Sequence, residues 1–228
     1  MPIPDYDDDT FVAYMDISGF KELMKTPDKA VHALDRFYQS GYDVLREQSP
    51  DTPHRIQGFL VSDCAILFVN GGTGKTWARL RALLKTIENI NRTLISNRIM
   101  TTTSVAFGRF SYHQRIEFPG IEKNPLYGNA YVTAYLDNER GLPKIQPGQC
   151  RIQSDAMPIP GVPGGPPDAI ASRLRQAGKN HMYFYWMVSG ENRIDAFESE
   201  YTDAYKLKYA GMLGAIEEWS REPVPDPR

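Results

Sequence analysis

Two aspartates stand at positions from which they could act together. Asp16 closes the β-favouring run FVAYMDI at residues 11–17 and is followed by Ser18-Gly19, a pair that lets the backbone turn sharply. Asp63 lies in Val61-Ser62-Asp63, between two short apolar runs at residues 54–60 and 64–69 that read as a hairpin with the aspartate at its bend. If the two strands are central neighbours, both carboxylates meet at one end of the sheet and make a hard oxygen site suited to Mg²⁺ or Mn²⁺. The turn Ile17-Ser18-Gly19-Phe20 adds a backbone carbonyl as a further ligand, and its N–H groups beside a helix can hold phosphate oxygens. The chemistry on offer is that of a metal and a phosphate held together.

The elements that must position this pair follow from periodicity. Thr26-Pro27 supplies an N-cap and a first-turn proline for a long helix. Residues 76–97 keep a helical apolar period without Gly or Pro. Residues 101–107 read as a strand and residues 129–139 as a helix that stops at Gly141-Leu142-Pro143. Residues 158–167 form a proline and glycine loop, 168–176 read as helix, 182–188 as a core strand, and 201–219 as a last helix. This order predicts an α+β sandwich, an antiparallel-centred sheet with helices packed on one face, as a single domain over residues 1–228 with a C-terminal helix from about 200.

Composition narrows the partners. With 26 basic and 28 acidic residues in 228, there is no broad positive field for a polyanion, so nucleic acid is not expected and a small ligand fits better. Two cysteines, Cys64 and Cys150, are too few for a disulfide framework, and no apolar stretch approaches the roughly 20 residues needed to span a bilayer. A cytoplasmic protein without a membrane partner is expected.

The motifs Asp-Ile-Ser-Gly-Phe at residues 16–20 and Phe-Leu-Val-Ser-Asp-Cys at residues 59–64 resemble those of the class III nucleotidyl cyclases, whose second motif usually has Gly where Ser62 stands. Tyr127-Gly128-Asn129-Ala130-Tyr131-Val132-Thr133-Ala134 is similar to the family's Gly-x-x-Val-Asn-x-Ala helix, and Gly178-Lys179 precedes Tyr183-Phe184 as a family lysine precedes its strand. The resemblance covers residues 11–185. It implies a ferredoxin-like cyclase fold, two Mn²⁺ or Mg²⁺ ions per active site held by Asp16, Asp63 and the Ile17 carbonyl, and a homodimer with shared sites in which Lys179 contacts the triphosphate from the partner subunit.

Departures from the family pattern shape the rest of the expectation. Val132 and Leu136 stand where the family has an asparagine and an arginine that steady the transition state, leaving Arg109, Arg140 or Lys144 as possible stand-ins. Phe59 and Pro125 occupy the positions that read a purine, so Phe59 offers a stacking platform, with Tyr14, Thr103 or Tyr131 available for the base edge. These changes, together with Ala134-Tyr135-Leu136-Asp137-Asn138, resemble the pyrimidine cyclases of bacterial Pycsar anti-phage systems. That resemblance implies UTP or CTP as substrate, cyclic UMP or cyclic CMP as product, and a separate effector reached through the cyclic nucleotide.

Three other readings compete. Asn70-Gly71-Gly72-Thr73-Gly74-Lys75-Thr76 matches only the second half of a phosphate loop, since Val69 stands where its first glycine belongs. A diguanylate cyclase would share Asp16 to Lys21, but that family's paired glycines are missing from this chain at Val61 to Ala65. Against a cyclase-like nucleotide-binding module without turnover stands the retention of both aspartates, and for it the loss of the asparagine and arginine. The four histidines have no metal-like spacing.

Overall fold

The computed structural model describes residues 3–48, 52–70, 76–113, 115–118, 121–123, 125–154 and 169–221. In chain order the elements are β1 (Tyr6–Ile17), α1 (Phe20–Leu23), α2 (Pro27–Arg46), β2 (Arg55–Val61), β3 (Cys64–Asn70), α3 (Thr76–Ile95) and β4 (Thr101–Tyr112). They continue with β5 (Arg115–Phe118), β6 (Ile121–Lys123), β7 (Leu126–Tyr127), α4 (Asn129–Arg140), β8 (Cys150–Gln153), β9 (Leu174–Ala177), β10 (His181–Phe184), α5 (Ile194–Tyr205) and α6 (Lys208–Ser220).

The main sheet runs β2-β3-β1-β4-β8-β10-β9, with β7 added on β4, and every pairing is antiparallel except β4 with β8. β1 lies at its centre because it can be buried from both sides. Residues 11–15 are all fully or almost fully buried, with Phe11, Ala13 and Met15 in one apolar cluster and Val12 and Tyr14 in another. Alternation along a strand sends these two sets to opposite faces.

Helices therefore cover both faces, which corrects the one-face expectation. The larger cluster takes in Phe37 of α2, Leu80, Leu84 and Ile87 of α3, and Met212 and Ile216 of α6. The smaller one is closed by Ala130 and Ala134 of α4. The signal was in the strand itself, since a run apolar at every position is the mark of two-sided burial.

Two segments fold differently from the periodicity. Within 168–176, where a helix was expected, residues 171–173 make a single 3₁₀ turn and Leu174–Ala177 pairs with β10. Arg173 at that junction is drawn into the interior by Glu88 of α3, through two bonds of 2.9 and 3.0 Å, and that tertiary pull outweighs helical propensity. The expected last helix is two helices, starting earlier at Ile194 and broken at Lys206-Leu207. The core strand expected over 182–188 ends at Phe184, although Trp186, Met187 and Val188 remain buried. The loop at 158–167 and the glycines and lysine of the phosphate-loop-like stretch lie outside the described residues. β3, which precedes that stretch, pairs antiparallel on both sides, so the parallel βαβ setting of a phosphate loop is missing.

Candidate active site

The register of the central strands brings the two aspartates together. Asp16 faces Cys64 across the β1–β3 pairing, and the Ile17 N–H donates to the Asp63 carbonyl at 2.9 Å. The hairpin bend that presents Asp63 requires a left-handed residue, and Ser62 takes it at φ 54°. A side chain there is strained by roughly 1–2 kcal/mol relative to glycine.

Asp16 is an even-numbered β1 residue and so lies on the α4 side of the sheet. Burial first, then the negative charges of Asp63 and Glu139, push its carboxyl up to about 7. Glu139, at the C-terminal end of α4, is a third acidic neighbour that sequence reasoning missed. No local signal marked it, since only the packing of α4 over β1 and β4 brings it near. Among the described residues, no group of three or more His, Cys, Asp or Glu side chains converges tightly enough to hold a metal by itself. The carboxylates of Asp16 and Asp63 are suited to an ion whose other ligands come from substrate and water.

A cavity of ≈ 730 Å³ opens beside Asp16, with Ser18, Thr102 and Asn138 in its lining. The Ser18 hydroxyl is buried and has no hydrogen-bond partner among the described residues. An orphaned hydroxyl beside a paired carboxylate is a donor set for hydrated metal or phosphate oxygen, so the residues present fit a hard divalent cation. Gly19 turns at φ 77° and Phe20 opens α1, a helix of one turn. The Phe20 ring is packed in the larger core, so only its backbone is available to a ligand.

The end of α4 over the site is held rigidly. Arg151 of β8 grips Asp137 with bonds of 2.6 and 3.0 Å, Ser104 donates to the same carboxylate at 2.6 Å, and the Thr102 hydroxyl donates to Asn138 at 3.0 Å. Asp137 and Asn138 are thus buried fasteners of the helix. The side of α4 turned away from them carries Val132, Tyr135 and Leu136, all exposed.

Phe59 is half-buried on the α4 side of the sheet, stacked near Phe68 at 6.1 Å and tilted against Tyr112 at 4.5 Å. Tyr14 meets Tyr135 edge-on at 5.3 Å, and Tyr131 stacks on Tyr135 at 6.3 Å. Burial, with Cys64 beside it, raises the Tyr14 hydroxyl well above its usual range, so it stays a neutral donor. Thr103 is excluded as a base reader on the Asp16 side, because it pairs with Met15 and shares that residue's opposite face.

The remaining cations separate. Lys144 lines the Asp16 cavity. Arg109 is bound to Asp7 at 2.6 Å and pairs across the sheet with Asp9, seven residues along β1 from Asp16 or roughly 23 Å away. Arg140 is exposed at the end of α4. Lys179 sits in the β9–β10 turn after Gly178 and lines a different cavity with Pro143, His181 and Tyr183. Among the described residues, Lys179 and Asp16 line different cavities.

The chain superposes on the guanylyl cyclase Cya2 with a TM-score of 0.51 at 14% identity, covering 80% of this chain and 93% of that one. The fold is that of the class III nucleotidyl cyclases. The guanylate cyclase domain of RhGC from Catenaria anguillulae in complex with GTP matches the same cyclase fold at a TM-score of 0.50 and 13% identity, covering 66% of this chain and 80% of that one. A rhodopsin-guanylyl cyclase catalytic core with converted specificity, in complex with ATPαS, does so at 0.50 and 12% identity, covering 80% and 98%. No family model and no curated protein matches the sequence. The cyclase fold is therefore visible in the structure where overall sequence similarity is low. No helix among the described residues is long and apolar enough to cross a membrane.

Proposed function

We propose that this protein is a nucleotidyl cyclase that converts UTP, in preference to CTP, to the 3′,5′-cyclic monophosphate and pyrophosphate as a second messenger in anti-phage defence. The observation that carries the cyclase reading is the β1–β3 register, which brings Asp63 next to Asp16, a residue that lines a cavity, on a fold whose similar structures include complexes with GTP and ATPαS.

Asp16, Asp63 and the Ile17 carbonyl would hold Mg²⁺ or Mn²⁺, two ions per site with substrate bound. The chemistry such ions supply is neutralisation of the triphosphate and acidification of the ribose 3′-hydroxyl. The N–H groups of Gly19 and Phe20 would hold phosphate oxygens, with the hydroxyl attacking the α-phosphorus in line. The 3′-oxygen bonds to that phosphorus as the bridge to the β-phosphate breaks, the hydroxyl proton passing to solvent and pyrophosphate leaving. Positioning and charge neutralisation carry this kind of transfer, and no side chain is required as a dedicated base.

The pyrimidine reading rests on Phe59 and Pro125 at the purine-reading positions and on the resemblance to Pycsar cyclases. Phe59, Tyr14 and Tyr131 give the α4 side an aromatic lining suited to stacking a short base. Incubation of the protein with Mn²⁺ and each ribonucleoside triphosphate, followed by mass spectrometry, is expected to yield cyclic UMP as the main product. Cyclic CMP alone would change the substrate within the same reading, cyclic AMP or GMP would overturn the base pocket, and a linear diphosphate would overturn the cyclase.

The exposed Val132, Tyr135 and Leu136 support a homodimer closed over α4, with Lys179 entering from the partner. Asp63→Ala and Lys179→Ala chains, each inactive alone, are expected to regain activity on mixing, up to about one intact site per heterodimer. Continued inactivity after proven subunit exchange would remove the shared site.

A further inference from the structure

The elbow between α5 and α6 contributes Lys206, Lys208 and Tyr209 to the lining of the Asp16 cavity, together with Lys144 from the loop after α4. This puts three cations around a cavity beside an acidic pair, although the family positions for transition-state contacts on α4 hold Val132 and Leu136. Lys206 is engaged by Asp203 at 2.9 Å, whereas Lys144 and Lys208 are exposed and have no ion-pair partner among the described residues.

The elbow is built to a fixed shape. Lys208 holds a left-handed φ of 57°, a conformation that a side-chain-bearing residue adopts at a cost. Gly211 admits the Ala204 carbonyl and Leu207 so closely that a Cβ there would collide with both. Tyr209 lies over Gly19, and its hydroxyl accepts the Met100 N–H at 3.2 Å. The loop bearing Lys144 is fastened to the same unit. The Tyr201 hydroxyl donates to the Pro147 carbonyl at 2.6 Å, Trp186 donates to the Gly148 carbonyl at 2.7 Å, and Ile216 of α6 occupies the space a Gly148 side chain would need. Lys144 and Lys208 thus stand on one wall facing the carboxylate end of β1.

We infer that Lys144 and Lys208 form a polyphosphate-binding wall, supplied in cis by the loop after α4 and the α5–α6 elbow, that holds the β- and γ-phosphates of the substrate and takes over charge neutralisation that α4 does not provide. The inference rests on the cyclase reading for its substrate, while the wall itself is defined by charge and geometry. Ammonium groups suit this task because they act as movable point charges on phosphate oxygens.

The test is calorimetric titration of the full chain with inorganic tripolyphosphate in Mg²⁺. Wild-type protein is expected to bind, and Lys144→Ala/Lys208→Gly to bind about tenfold or more weakly, in line with the loss of charge-assisted hydrogen bonds. The melting temperature of the double variant should be unchanged or higher, because glycine relaxes the left-handed site. Lys208→Arg, with Lys144 intact, should retain most of the affinity. Equal binding by the double variant, no binding by the wild type, or a Lys208→Arg protein as weak as Lys208→Gly would each overturn the wall. The two readings fail separately. Lysine-dependent tripolyphosphate binding by a chain that makes no cyclic nucleotide would sink the cyclase and keep the wall, whereas cyclisation with an unaltered KM in the double variant would do the reverse.

Discussion

Asp16→Asn is expected to lose about 10³-fold or more in turnover, the equivalent of several kcal/mol of charge stabilisation at the metal site, and at the same time to make the metal-free protein more stable. The second half follows from the sign of the Asp16 shift. Its carboxyl is raised from 3.8 to about 7 in the fold, so the native state binds a proton more tightly than the unfolded chain. Ionising Asp16 therefore costs stability, with no cost below about pH 4, a growing one between 4 and 7, and the full cost above 7. Melting curves of metal-free wild type and variant should coincide at pH 4 and separate as pH rises, the variant being higher by about 2–4 °C per kcal/mol for a chain of this size. Mn²⁺ should raise the wild type and leave the variant nearly unmoved. An active Asp16→Asn enzyme, or a variant less stable than wild type at pH 8, would contradict the assignment.

The second large effect is on stability alone. Glu88 of α3 is fully buried between Arg173 and Arg92, while Lys85 approaches at 3.4 Å. Arg92 carries the node outward to the Trp186 and Ser220 carbonyls at 2.8 and 2.7 Å, tying the central helix to the chain after β10 and to the end of α6. Glu88→Leu leaves Arg173 buried without a counter-charge and is expected to destabilise by about 3–5 kcal/mol, while adding Arg173→Met should recover most of that loss. Denaturant titration of the single and double variants measures both. For Glu88 itself, burial works to raise the carboxyl, but the hydrogen bonds and charge of Arg173, then Lys85 and Arg92, lower it below its usual 4.5. Its contribution is thus complete above about pH 4.5 and fades as pH falls through the lower folded value. A double variant no more stable than Glu88→Leu would show that packing, and not the stranded charge, dominates.

These two sites differ in how far the sequence reveals them. Asp16 and Asp63 could be paired from the page because each ends a strand in a turn, and strand ends are fixed by local residue types such as Ser18-Gly19. The long helix α3 was equally plain, since twenty residues repeat one period. Arg173 and Glu88 are 85 residues apart in sequence, and nothing local in either segment announces the pairing. The same long-range term turned an expected helix at 168–176 into a 3₁₀ turn and an edge strand. Thr103 was misplaced for a simpler reason: its side of β4 is set by register against Met15, which residue types alone do not specify. The elbow lysines lay hidden in a stretch that reads as one helix, because a left-handed φ at Lys208 has no glycine to advertise it.

The alternation along β1 has a consequence for what this chain can tolerate. Met15 and Ile17 belong to the larger core while Asp16, between them, lines the cavity, so at this end of β1 the candidate site and the larger core occupy opposite parities of one strand. Deleting or inserting a single residue there would swing the carboxylate into an apolar interior and turn a core methionine or isoleucine toward the cavity. Length variation in β1 can then persist only in steps of two, whereas the helices that flank it are free of that arithmetic.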